Sequence, residues 1–196
     1  MGSKVMVRPP RLVSGQRVAL VAPASAPETS ADFRHADTAC RALGLKPVIG
    51  PNARKRTGYL AGSDDERLAD LNAALADPAT DAVWCLRGGY GITRLLDRVD
   101  LAPLARRPKV IIGYSDITAL LLAVTRLTGI VTFHGPVARA RLTTFSRRHL
   151  ERVLLRAEPA GVLDPLPPPR RSAARATRPA TVLGGVAEGP LVGGNQ

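Results

Sequence analysis

Five short apolar runs alternate with segments of helical spacing between residues 17 and 133, and this alternation restricts the fold more than any other feature of the chain. The runs span 17–22, 46–49, 82–86, 109–113 and 130–133, and helices are expected at 30–43, 64–76, 92–99 and 116–127. Short apolar runs that alternate with amphipathic segments read as parallel strands connected by helices, and those helices are expected to cover both faces of one sheet. The fold class is therefore α/β, a parallel sheet with helices on both faces. Ser63 followed by Glu66 forms a capping box that starts the second helix, while Gly44 and Gly129 stand where the first and fourth should stop.

The pattern does not extend through all 196 residues. Residues 1–145 are expected to form the main domain, 146–180 a basic linker rich in proline and arginine (DPLPPPRRSAARATRP), and 181–196 the opening of a second domain. A further short helix is expected at 149–156.

The net charge is +12, and ten arginines fall between Arg139 and Arg178, opposed there only by Glu151, Glu158 and Asp164. Basic surface attracts polyanions, but aromatic residues are 4% of the chain and no base-stacking motif accompanies the charge, so nucleic acid is not the expected partner. The two cysteines, Cys40 and Cys85, are too far apart in sequence for a metal or redox motif. No run reaches the roughly 18 apolar residues of a membrane span, and the first residues hold no continuous apolar segment of the secretory kind. No membrane partner is expected, and the location is read as cytoplasmic.

Chemistry concentrates at two junctions between a strand and a helix. In KVIIGYSDITALLLAV (109–124) the apolar run breaks at Gly113, Tyr114, Ser115 and Asp116 and resumes with helical spacing. A serine on such a turn is lifted out of the sheet, with the next backbone N–H and the positive end of the following helix available to an oxyanion. The same residues also suit a plain helix N-cap. In CLRGGYGITRLLDRVD (85–100) a strand ends in Gly88-Gly89-Tyr90-Gly91, whose glycines allow N–H groups to converge on an anion but would also make a tight turn. The loop lacks the lysine of a phosphate-binding Walker loop and the glycine spacing of a dinucleotide site.

Together with RVALVAPASAP (17–27), TFHGPV (132–137) and GPLVGGN (189–195), these segments resemble the LD-carboxypeptidase family, serine peptidases of the S66 type that include muramoyltetrapeptide carboxypeptidases and microcin C7 self-immunity proteins. The resemblance implies a flavodoxin-like or Rossmann-like N-terminal domain with the C-terminal domain largely absent from this chain. It implies removal of a terminal D-alanine from L,D-linked murein tetrapeptides during cell-wall recycling. By position, Ser115 matches the nucleophile and the N–H groups of Asp116 and Gly89 the oxyanion hole, with Gly88, Tyr90 and Arg87 at the substrate. Arg87 could equally be a structural ion-pair partner. No metal and no organic cofactor is implied, and a homodimer is compatible with the family.

The glutamate and histidine of the family's triad belong to the C-terminal domain, so this chain is expected to lack them. Of its own histidines, His134 is expected to shape the loop beside the site, and His35 and His149 to lie on the surface or in packing. Hydrolysis of a peptidyl or aminoacyl nucleotide, as in the immunity branch, and a non-catalytic or basic binding module remain as alternatives.

Overall fold

The computed structural model describes residues 6–161. Five strands, β1 (Arg17–Val21), β2 (Lys46–Ile49), β3 (Ala82–Cys85), β4 (Val110–Gly113) and β5 (Phe133–His134), form one sheet in the order β2-β1-β3-β4-β5, and every pairing is parallel. That order is the flavodoxin-like one, in which the direction of strand addition reverses between β1 and β3 and opens a crevice there at the carboxyl ends.

Side-chain alternation along the central strands divides the core in two. Val18, Leu20, Ala82, Trp84, Val110 and Ile112 pack on one face against α1 (Ser30–Ala42), through Phe33, Ala36 and Cys40, and against Leu150 of α5 (Thr144–Leu150). Ala19, Val21, Val83, Cys85 and Ile111 pack on the other against Leu71 and Leu75 of α2 (Asp64–Ala76), Leu104 of α3 (Ala102–Arg106) and Leu120 and Val124 of α4 (Thr118–Thr128). The helices thus cover both faces of the sheet.

Three expectations need correction. Residues 92–99 form two 3₁₀ turns, Ile92–Arg94 and Leu96–Arg98, in place of a helix. Ile92 and Leu95 are fully buried and three residues apart, a spacing that the 3₁₀ turn superposes on one side. The last strand starts later than expected because Val7 takes the place of a neighbour at Ile130: the Val7 N–H donates to the Gly129 carbonyl and the Val131 N–H to that of Val7, both at 2.9 Å. The late helix begins at Thr144 and passes into a π-helical turn, Glu151–Leu155, whose Leu154 carbonyl accepts the Leu12 N–H at 2.8 Å. Helix α3 had no sequence signal, since five residues with a proline at the second position show no period.

The capping box forms as expected, with the Glu66 N–H donating to Ser63 Oγ at 3.2 Å and the Ser63 N–H to Glu66 Oε2 at 2.8 Å. No helix among the described residues is long and apolar enough to cross a membrane. The proline-rich linker and the glycine-rich segment 189–195 lie outside the described residues.

Candidate active site

Three of the loops at the carboxyl rim of the sheet converge. The chain leaving β4 passes through extended Tyr114 and enters a 3₁₀ turn at Ser115 with φ +61°. This is the left-handed region, which costs a non-glycine residue of order 1 kcal/mol or more and is tolerated where neighbouring structure enforces it. Tyr114 and Ile117, which stand at the N-cap positions of the 3₁₀ turn and of α4, give no side-chain cap. The Asp116 carboxylate accepts the Ile92 N–H at 2.9 Å, tying the turn after β4 to the end of the glycine loop after β3.

The glycine loop lies against the serine. A Cβ on Gly88 would stand 2.8 Å from both Ser115 Cβ and the Tyr114 carbonyl oxygen, so only glycine fits without displacing the turn. Gly89 has φ +105°, and a Cβ there would collide with the Ser25 side chain from the loop after β1. Ser25 is buried, its Oγ accepts the Tyr90 N–H at 3.2 Å, and its own N–H donates to the Gly88 carbonyl at 3.1 Å. The order across the rim is thus Ser25, Gly88-Gly89-Tyr90, Ser115.

Other expected site residues take definite places. Arg87 donates to the Ala26 carbonyl at 2.8 Å and pairs with Glu28 at 2.8 Å, which supplies the ion-pair partner left open by the sequence. Tyr90 and Tyr114 are about half exposed, and Tyr59 faces Tyr90 with ring centroids 6.1 Å apart. All three tyrosines of the chain therefore edge this rim. His134 pairs in register with Gly113 and its ring lies 5.0 Å from that of Tyr114, beside the turn that carries Ser115. His35 accepts from Arg141 Nε at 3.2 Å, and His149 packs on Phe145 with centroids 4.3 Å apart.

Several supporting residues had no motif to announce them. Arg67 looks like a solvent-facing charge on a helix, yet it is 1% exposed and its guanidinium donates to the carbonyls of Pro23 and Gly91 and to Asp64. It clasps the loops after β1 and β3 from beneath. Asp32 accepts the N–H groups of Glu28 at 2.7 Å and Thr29 at 3.2 Å and pairs with Arg139 at 3.5 Å. Burial alone would raise its carboxyl, but these donors and the guanidinium outweigh burial and hold it below the ordinary aspartate range. Burial pushes the thiols of Cys40 and Cys85 up to about 12, which removes them as nucleophiles.

Residues 18–135 match the model of the peptidase S66 family, the LD-carboxypeptidase N-terminal domain. The chain belongs to the LD-carboxypeptidase family. A relative in Streptomyces coelicolor, named as a carboxypeptidase, is 47% identical over 137 residues, 68% of this chain and 44% of its own length. The murein tetrapeptide carboxypeptidase of Pseudomonas aeruginosa is 44% identical over 126 residues, 62% of this chain and 39% of its own. Among solved family structures, the muramoyltetrapeptide carboxypeptidase of Oxalobacter formigenes superposes with a TM-score of 0.62 at 29% identity, covering 70% of this chain and 47% of that one. A microcin C7 self-immunity protein in complex with aspartyl sulfamoyl adenosine superposes at 0.69 and 27%, covering 75% and 46%. The chain thus spans less than half the length of these relatives.

Proposed function

We propose that this chain is the nucleophile-bearing half of a serine LD-carboxypeptidase that releases the terminal D-alanine from L,D-linked murein tetrapeptides recovered in the cytoplasm. The observation that carries this reading is Ser115 held at a left-handed φ on the turn from β4, with the backbone of Gly88 against its Cβ. Ser115 Oγ attacks the carbonyl of the L,D-amide and its proton passes to a base. The carbonyl oxygen becomes an oxyanion held by the N–H groups of Asp116 and Gly89, where preorganised donors act most strongly. Collapse expels D-alanine, which takes up the proton on its amine, and water then cleaves the acyl-enzyme. We assign the base to a Glu-His pair in the portion of the family that this chain does not cover.

Similarity to the immunity protein bound to aspartyl sulfamoyl adenosine supports a second substrate for the same serine, an aminoacyl nucleotide. The deciding experiment isolates the protein at its natural length from its source and offers it both substrates. D-Alanine release from murein tetrapeptide, lowered about 10³-fold or more in kcat/KM by Ser115→Ala, is the expected result. Cleavage of the aminoacyl nucleotide alone would shift the assignment to the second substrate, and turnover unaffected by Ser115→Ala would end the serine reading.

A further inference from the structure

Gly88 and Gly89 have no side chains to fix their peptide planes, so something else must set the direction of the Gly89 N–H. The loop touches two neighbours, Ser115 on one side and Ser25 on the other. Ser25 is itself immobilised from behind. It forms an antiparallel bridge with Leu60, and its neighbours share in the pairing, with the Ala26 N–H donating to the Tyr59 carbonyl at 2.9 Å and the Ala61 N–H to that of Ala24 at 3.1 Å.

From this fixed position Ser25 grips the loop at two points. Its N–H binds the Gly88 carbonyl at 3.1 Å, and its Oγ takes the Tyr90 N–H at 3.2 Å. In a planar trans peptide the C=O and N–H point in opposite directions. The carbonyl of Gly88 turned to Ser25 therefore turns the Gly89 N–H of the same peptide away from Ser25, the side on which Ser115 lies. The hydroxyl contact stops the next peptide from rotating, which a glycine at φ +105° would otherwise permit at little steric cost.

We propose that Ser25 is a positioning residue that locks the Gly88–Tyr90 peptides so that the Gly89 N–H faces the carbonyl attacked by Ser115. This inference rests on the serine acyl-transfer reading above. Ser25 touches neither the substrate nor the reacting atoms in this scheme and acts only through the loop.

Two measurements on Ser25→Ala, which removes the hydroxyl and keeps the backbone N–H, test the proposal. In the 196-residue chain, amide exchange followed by NMR should quicken about tenfold or more at Tyr90 while the amides of Leu20, Trp84 and Ile112 are unchanged. In the natural-length protein, kcat for D-alanine release should fall about 10- to 100-fold with KM within about twofold, and Ser25→Thr, which keeps a hydroxyl, should recover most of the loss. Unchanged exchange at Tyr90 would overturn the proposal, as would faster exchange with kcat intact or with the whole loss in KM. A wild-type protein that releases no D-alanine would overturn the functional reading and, with it, the catalytic purpose assigned to Ser25. The exchange arm would still decide separately whether Ser25 holds the loop.

Discussion

At the scale of single residues, the site depends on what is missing from Gly88 as much as on what is present at Ser115. A methyl group on Gly88 would meet Ser115 Cβ and the Tyr114 carbonyl oxygen at 2.8 Å, and the oxygen is backbone of the very turn that carries Ser115. Gly88→Ala is therefore expected to lower kcat/KM about 100-fold or more in the natural-length protein, since small displacements of reacting groups cost this much. The accompanying loss of thermal stability should be modest, and steady-state kinetics alongside a melting curve separates the two. Asp32 provides a pH test. Its carboxyl is held low in the folded state, so its contribution is present above the unfolded value near 3.9 and is lost as pH falls through the folded value. Asp32→Asn should cost about 1–2 kcal/mol at pH 7, and the gap from wild type should narrow toward pH 3; urea titrations read by Trp84 fluorescence at both pH values check it. Ser115, Gly88 and Gly89 could be found in the sequence because small residues interrupt apolar runs there. Ser25 and Arg67 could not, because a serine among alanines and prolines and an arginine among helical charges have no distinguishing neighbours.

At the scale of elements, the strands and long helices were legible to within a residue or two wherever burial imposed a period. The edges were not. The 3₁₀ turns at 92–98, the short β5 and the π-helical turn after α5 meet distant partners, Asp116, Val7 and Leu12 respectively, which local spacing does not encode. One long-range contact caps the end of α2. Lys109, just before β4, is 2% exposed, and its Nζ donates to the carbonyls of Ala74 and Asp77 at 2.8 and 2.7 Å. Burial lowers its pKa, yet the ammonium meets oxygens that the helix cannot satisfy itself. Lys109→Ala leaves those carbonyls without this donor and a void beside them. A loss of about 2–4 kcal/mol is expected in a chemical denaturation experiment.

For the whole molecule, the division into two cores on either side of one sheet makes the parts interdependent. Cys40 belongs to one core and Cys85 to the other, and both thiols are wholly buried with raised pKa. Neither should react with a thiol reagent in the native state, and both should become reactive at one denaturant midpoint, shared with Trp84 fluorescence. Two separate midpoints would mean that the faces open independently. The rim is tied into the same unit: Ser25, Gly88 and Ser115 follow β1, β3 and β4, the three innermost strands, and Arg67, Asp116 and the Ser25 backbone link their loops. A constellation built this way has no hinge of its own and should not soften ahead of its scaffold on heating. Its durability is that of the sheet, so the temperature at which the chain melts also sets the upper limit of its working range.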